Sequence, residues 1–255
     1  MQLSTICIAF CNLLFSSIAT AQHPLVSHAQ FPAALQNSVI TAMHIDETGF
    51  LWIGTQKGLY KYDGNRLITF SSRQRGLNKI ASSDITSIGQ DIDGNIVVAT
   101  YGGGLLHWDD QDQYFQQITK FGPYDMPYIK RLMVASDGDL WISNNKLVIQ
   151  YDLDSKSAVS WSTSVTDKHV GTDPIILAED NQGIVYIAQA NRLAVVDPKS
   201  GKIREHQVSL RAAKTPIKAT ALQYLNNEGL LLGTSTGEIL LLDAMTGKTI
   251  NQAST

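Results

Sequence analysis

This chain has little with which to do thiol or metal chemistry. Its two cysteines, Cys7 and Cys11, both fall in an N-terminal apolar run from Thr5 to Ile18. The small-x-small triplet Ala19-Thr20-Ala21 follows, ahead of Gln22. That pattern predicts a secretory signal peptide over residues 1–21, although no Lys or Arg precedes the run and only the amino terminus supplies its positive charge. Cys11 is not followed by a mature-looking sequence, so it is not read as a lipid attachment point. Once the leader is removed, the chain has no thiol, disulfide or cysteine metal site. Its six histidines, His23, His28, His44, His107, His169 and His206, show no metal-ligand spacing. Neither a metal nor a cofactor is expected, and the expected location is the periplasm.

Basic excess is also missing. Twenty Lys and Arg stand against 23 Asp and Glu, a formal net charge of -3, which argues against a phosphate-tracking surface and so against nucleic acid as a partner. After residue 21 no apolar run approaches the roughly 18 residues needed to cross a bilayer. What remains is 44% apolar and 17% charged over the whole chain, enough to bury a core.

The organising feature is a repeat. Gly49, Gly94, Gly138, Gly183 and Gly229, spaced by 45, 44, 45 and 46 residues, each end a polar turn that launches an apolar run: DETGFLWIGT, DIDGNIVVAT, SDGDLWIS, DNQGIVYIA and NNEGLLLGT. Fourteen or fifteen residues after each glycine an aspartate closes a second run: Asp63, Asp109, Asp152, Asp197 and Asp243. A period in this range with several short strands per unit is the mark of a β-propeller. The first run is apolar on both faces, which requires cover on both faces, and a blade sandwiched between neighbours has it. Flanking segments supply an inner strand A ahead of each turn and a ragged, polar strand D after each aspartate. The predicted blades are 37–81, 82–126, 127–171, 172–216 and 217–255, preceded by an N-terminal segment at 22–36. Loops on such a frame carry recognition. The B–C turns and D–A links share one end of the blades, so candidate ligand contacts chosen by loop position are Gln56, Lys57, Tyr101, Asn144, Asn145, Gln189, Arg192 and Ser235.

At residues 37–70, NSVITAMHIDETGFLWIGTQKGLYKYDGNRLITF closely resembles the two-component regulator propeller repeat, and 76–109 repeats the pattern. Blade three keeps DGDLWIS but carries Asn144-Asn145-Lys146 where the family has a glycine turn. Blades four and five keep the frame without the tryptophan, and blade five is equally close to quinoprotein-like propellers. The resemblance implies a periplasmic sensor region joined through a membrane helix to a histidine kinase or diguanylate cyclase output domain, none of which is present in these residues. The partners it implies are a small ligand, with carbohydrate among the candidates, or a protein, together with the downstream signalling domain.

Two arrangements of the repeats are open. LVSHAQF (25–31) has the character of an outer closing strand, yet blade five already has its own strand D in KTINQ. That leaves the N-terminal strand without a host and favours the opening part of a longer, seven-bladed type of propeller over a closed five-bladed ring.

No motif in the chain carries catalysis. Gly233 to Gly237 matches G-x-S-x-G, but a strand follows where a nucleophile elbow needs a helix. YGGGLL (101–106) leads into no phosphate-binding helix and is read as a bulged B–C turn. Paired acids such as Asp91/Asp93 and Glu179/Asp180 recur at the A–B turn, as structural residues do, with no convergent pair for glycoside hydrolysis. Trp52 and Trp141 are read as blade-to-blade packing, and Arg73, Arg75 and Lys79 as a basic loop that is either solvated or in contact with an anionic partner. The expected function is therefore a non-catalytic, exported sensory propeller. The alternatives are a free-standing periplasmic or quinoprotein-like scaffold and, last, a five-bladed glycoside hydrolase.

Overall fold

The computed structural model describes residue 35 and residues 37–109, 111–162, 173–208, 218–226 and 228–254. The expected leader, the segment at 25–31 and much of the third and fourth D–A links lie outside the described residues. The chain divides into two units, residues 1–36 and 37–255; the description below concerns the second.

That unit is built of five four-stranded antiparallel sheets, each with its strands in chain order. The first comprises β1 (Ile40–Ile45), β2 (Leu51–Thr55), β3 (Gly58–Tyr62) and β4 (Leu67–Phe70). The second holds β5 (Ile85–Gln90), β6 (Ile96–Thr100), β7 (Gly104–Asp109) and β8 (Tyr114–Ile118). A two-stranded hairpin follows, β9 (Lys120–Phe121) and β10 (Tyr124–Asp125), where the sequence suggested a plain link. The third sheet is β11 (Arg131–Val134), β12 (Leu140–Ser143), β13 (Val148–Tyr151) and β14 (Ala158–Ser160). The fourth is β15 (Ile176–Glu179), β16 (Val185–Gln189), β17 (Arg192–Asp197) and β18 (Lys202–Gln207). The last is β19 (Ala219–Leu225), β20 (Gly229–Thr234), β21 (Glu238–Leu242) and β22 (Thr249–Ser254). These are the blades of a β-propeller, in the A-B-C-D order that the repeat predicts.

Packing runs from each sheet to the next. The inner strands meet in succession, β1 on β5, β5 on β11, β11 on β15 and β15 on β19. Four separate apolar cores fill the four junctions. Between the first two blades, Trp52, Leu59 and Phe70 meet Ile96, Val98, Leu106, Trp108 and Phe115. The opposite face of the second blade, with Val97, Ala99 and Leu105, packs on Leu140, Ile142, Ile149 and Tyr151 of the third. Trp141 and Val148 then meet Val185, Ile187, Ala194 and Val196. Finally Tyr186, Leu193 and Val195 meet Leu222, Leu230, Leu232 and Leu240. Alternation along a strand sends neighbouring side chains to opposite faces, so an unbroken apolar run such as Ile96–Ala99 serves two junctions at once. Threonines on the inner strands add a repeated hook: Thr41 Oγ1 donates to the Ile85 carbonyl at 2.6 Å and Thr86 Oγ1 to that of Ile129 at 2.9 Å.

The A–B turns explain the repeat glycines, which adopt positive φ from 81° at Gly183 to 126° at Gly229, a region open to glycine and costly for other residues. In the first, second and fourth blades the aspartate three residues earlier is the clamp. In the first blade Asp46 Oδ1 accepts the backbone N–H groups of Thr48 and Phe50, while Oδ2 accepts the Trp52 indole N–H at 2.7 Å. In the fourth, Asp180 holds Gln182 and Ile184 in the same way and Oδ2 accepts the Tyr186 hydroxyl at 2.9 Å. In the second, Val97 occupies the aromatic's place, and the donor comes from across the strand pair: His107, opposite Val97, puts Nε2 2.7 Å from Asp91 Oδ2. The third blade has Ala135 at the clamp position, and the buried Trp141 indole N–H has no hydrogen-bond partner.

Replacing Asp46 by alanine removes the turn's acceptor and orphans a buried indole N–H, a defect of about 1–3 kcal/mol. We expect a fall in melting temperature of several degrees. In a double-mutant cycle with Trp52→Phe the two losses should be strongly non-additive; additive losses would show that the carboxylate and the indole do not act as a pair.

Candidate functional site

The two ends of the blades differ in chemistry. At one end lie the A–B and C–D turns, rich in carboxylates that fold the chain. Each C–D aspartate accepts two backbone N–H groups of its turn: Asp63 those of Asn65 and Arg66, Asp109 those of Gln111 and Asp112, Asp152 those of Asp154 and Ser155, Asp197 those of Lys199 and Ser200, Asp243 those of Met245 and Thr246. The opposite end carries the B–C turns and D–A links. Among the described residues there, Lys57, Arg73, Arg75, Lys79, Lys130, Lys146, Arg192 and Lys218 outnumber Asp84, Asp125, Asp173 and Glu238.

All eight contact candidates lie at this basic end, in or beside B–C turns. Gln56 and Lys57 form the β2–β3 turn, where Thr55 Oγ1 accepts the Lys57 N–H and Lys57 Nζ donates to the Asn37 carbonyl at 2.7 Å. In the third blade an Asx turn replaces the missing glycine, Asn144 Oδ1 accepting the N–H groups of Lys146 and Leu147. Ser235 N–H donates to the Lys218 carbonyl, fixing the β20–β21 hairpin, and the G-x-S-x-G match is that hairpin.

The structure joins Asn145 to Gln189. Gln189 ends β16 only 1% exposed, and its amide Nε2 donates to the carbonyls of Asn145 at 3.1 Å and Asp173 at 2.6 Å. It is a strut between the third and fourth blades more than a free contact, and Arg192 stands opposite it at the start of β17. Three oxygens at these two turns are buried without a hydrogen-bond partner: Ser143 Oγ, Asn145 Oδ1 and Gln189 Oε1.

Tyr101 is an exposed candidate with an aromatic side chain. Its ring meets Tyr128 at 5.0 Å between centroids, and sequence reasoning missed Tyr128 because it lies in a link. The glycines after Tyr101 let two backbones touch: Gly102 and Gly104 donate to the Pro127 carbonyl, and a Cβ on Gly104 would sit 2.3 Å from the Ile118 carbonyl oxygen. The extra residue that the sequence suggested as a bulge lengthens the β6–β7 turn to three residues between Thr100 and Gly104, with no register shift in the ladder.

At the acidic end a groove of about 890 Å³ opens between the second and third blades. Asp91, Asp93, Asp109, Asp137, Asp139, Asp152 and Asp154 line it, with His107 and Lys156 as the cationic or potentially cationic groups. The His107–Asp91 pair has the geometry of a base with its orienting acid. Yet the same aspartate position clamps Trp52 and Tyr186 in other blades, which marks His107 as a clamp member. Burial opposes ionisation of Asp91, but hydrogen bonds from His107 and Asn95 prevail and hold its carboxyl below the ordinary range. Asp139 goes the other way. Burial raises it, the Gln150 amide opposes that, and Asp137 and Asp152 add repulsion.

Residues 34–57 match the family model described as two component regulator propeller. The match takes in the first two strands of the first blade, β1 and β2. The chain is 25% identical over 158 residues to the serine/threonine-protein kinase AfsK of Streptomyces griseus, covering 61% of this chain and 19% of the kinase. It superposes on the extracellular domain of a hybrid two component system of B. thetaiotaomicron with TM-score 0.68 at 16% identity, covering 85% of this chain and 30% of that one. Virginiamycin B lyase of Staphylococcus aureus gives TM-score 0.67 at 11% identity, covering 87% and 71%. At these identities the structural likenesses speak to the fold alone. The chain spans under a third of that extracellular domain and about a fifth of the kinase.

The shifted carboxyls give a pH prediction. Asp63 is held below the ordinary aspartate range first by the backbone N–H of Arg66, and Asp152, Asp197 and Asp243 first by the hydroxyls of Ser155, Ser200 and Thr246. A lowered carboxyl stabilises the fold above its unfolded pKa, so this contribution disappears as pH falls below about 4. Asp139 has the opposite sign: ionising it costs stability above that range. Asp139→Asn should raise the melting temperature at pH 7 and converge with the wild type near pH 3; a variant less stable at pH 7 would refute the assignment.

Proposed function

We propose that the chain is the exported, non-catalytic sensory propeller of a bacterial signalling receptor, of histidine kinase or diguanylate cyclase type. Residues 1–21 are its leader, 22–36 an N-terminal segment, and 37–81, 82–126, 127–171, 172–216 and 217–255 its blades. The observation that carries the reading is the regulator repeat at 34–57 within five consecutive blades, supported by the likeness to an extracellular two component domain. Recognition of a small ligand, with carbohydrate among the candidates, or of a protein falls to the B–C turns and D–A links. Gln56, Lys57, Tyr101, Asn144, Asn145, Gln189, Arg192 and Ser235 lie there. A ligand that binds one packing arrangement of propeller and output domain better than another shifts their populations.

The blades belong to a larger propeller on this reading. Among the described residues, β19 does not pack back on β1 as consecutive inner strands do. The end sheets leave apolar side chains exposed, Met43 and Ile45 in the first and Ile239 in the last. The non-catalytic reading rests on the acids, most of which are engaged in folding turns.

The open reading frame that contains these codons is the direct test. A membrane helix followed by a kinase or cyclase domain is expected in frame. A stop codon directly after Thr255 would refute the receptor reading and favour the free-standing scaffold. Fusing residues 1–36 to mature alkaline phosphatase should give active enzyme, which requires an exported, oxidising compartment.

A further inference from the structure

The link between the first two blades, residues 71–83, carries Arg73, Arg75, Leu77 and Lys79, all exposed, with Leu77 58% exposed on the 3-10 turn Gly76–Asn78. Its own backbone holds it in shape. Ser71 N–H donates to the Asn78 carbonyl, Ile80 N–H to that of Ser71 and Lys79 N–H to that of Gly76. Among the described residues no ion pair neutralises the three bases. The far end of the link abuts the tyrosine pair: Ser82 Oγ donates to the Tyr101 carbonyl at 3.0 Å, and Tyr101 N–H donates to the Asp84 carbonyl at 2.8 Å. Tyr101 and Tyr128 are 46% and 53% exposed. The pre-shaped link thus offers three cations and an aliphatic side chain, and its far end leads to two exposed tyrosine rings.

We propose that this surface docks an acidic peptide segment bearing an apolar residue beside its carboxylates. The inference rests on the reading of the B–C and D–A end as the recognition surface, and it names the partner's chemistry. Charge selects an anion, because the carboxylates of this propeller are concentrated at its other end. Leu77 selects a peptide over an anionic polysaccharide. Sugars supply charge and ring faces but no apolar side chain to take an aliphatic residue out of water, whereas Arg and Tyr with a desolvated apolar neighbour are the usual anchors of a protein contact. A loop already held in one conformation binds without the entropy cost of ordering it.

Fluorescence anisotropy on the full chain, at low salt, tests this with three labelled probes: a short peptide of Glu-Glu-Leu repeats, a glutamate-only peptide of equal length, and a heparin fragment. The Glu-Glu-Leu peptide should bind most tightly. The triple variant Arg73→Ala, Arg75→Ala, Lys79→Ala should weaken it about tenfold and flatten its salt dependence, since exposed charge pairs each contribute modestly and are screened by salt. Leu77→Ser should weaken that peptide several-fold and leave any glutamate-only binding unchanged. Melting curves matching the wild type keep misfolding out of the comparison, the substituted side chains being exposed. Equal binding of the glutamate-only or heparin probe, insensitivity to Leu77→Ser, or no binding by any probe overturns the proposal. None of those results touches the receptor reading, which the reading frame decides separately.

Discussion

Three of the five blades open their A–B turn with a carboxylate, Asp46, Asp91 and Asp180, and the packing of those blades depends on it. One oxygen gathers the turn's N–H groups and lets the glycine turn the chain; the other reaches a donor on the strand pair, the Trp52 indole, the His107 imidazole or the Tyr186 hydroxyl. That bond settles two things at once, the tightness of the hairpin and the attitude of a large ring. In the first blade the ring then stacks into a cage of aromatics, with Phe70, Trp108 and Phe115 all within 6.1 Å of Trp52 between centroids. Lys61 closes the rim with Nζ 4.1 Å from the Phe50 centroid. A polar turn at the edge thus organises an apolar junction several residues away.

The same economy separates the charges. Antiparallel strands of similar length put every A–B and C–D turn at one end, and aspartate closes all five C–D turns and three of the A–B turns because a short carboxylate reaches N–H groups two to four residues on. Acidity at that end is a by-product of folding, and the groove between the second and third blades shows its cost in the raised carboxyl of Asp139. The B–C turns close with hydroxyls or amides, Thr55, Thr100 and Asn144, which leaves their end free to take positive charge.

Much of this was legible in the chain because turn chemistry is local. The five glycines, the five C–D aspartates and the apolar runs between them mark out the strands within a residue or two, and the blandest reading of the tryptophans, as packing between blades, holds for Trp52 and Trp141. Partners remote in sequence were less accessible. Nothing around His107 announces that it replaces a missing aromatic from the neighbouring strand. Gln189 looks like any turn residue until the third blade's turn is seen beside it. The hairpin at Lys120–Asp125 is too short to leave a period, and Tyr128 becomes noticeable only through the glycines that bring Tyr101 against it.

The four junction cores share no centre. Each is assembled from two adjacent sheets, so within residues 37–255 a middle sheet is gripped on both faces by its neighbours and an end sheet on one. Cohesion among such sheets is a nearest-neighbour property: loosening one junction leaves the next intact. The last sheet can part from the fourth by melting a single core, without disturbing the aromatic cage at the far end. A β-sheet structure that would otherwise respond to strain as a whole is thereby divided into units that can let go one at a time.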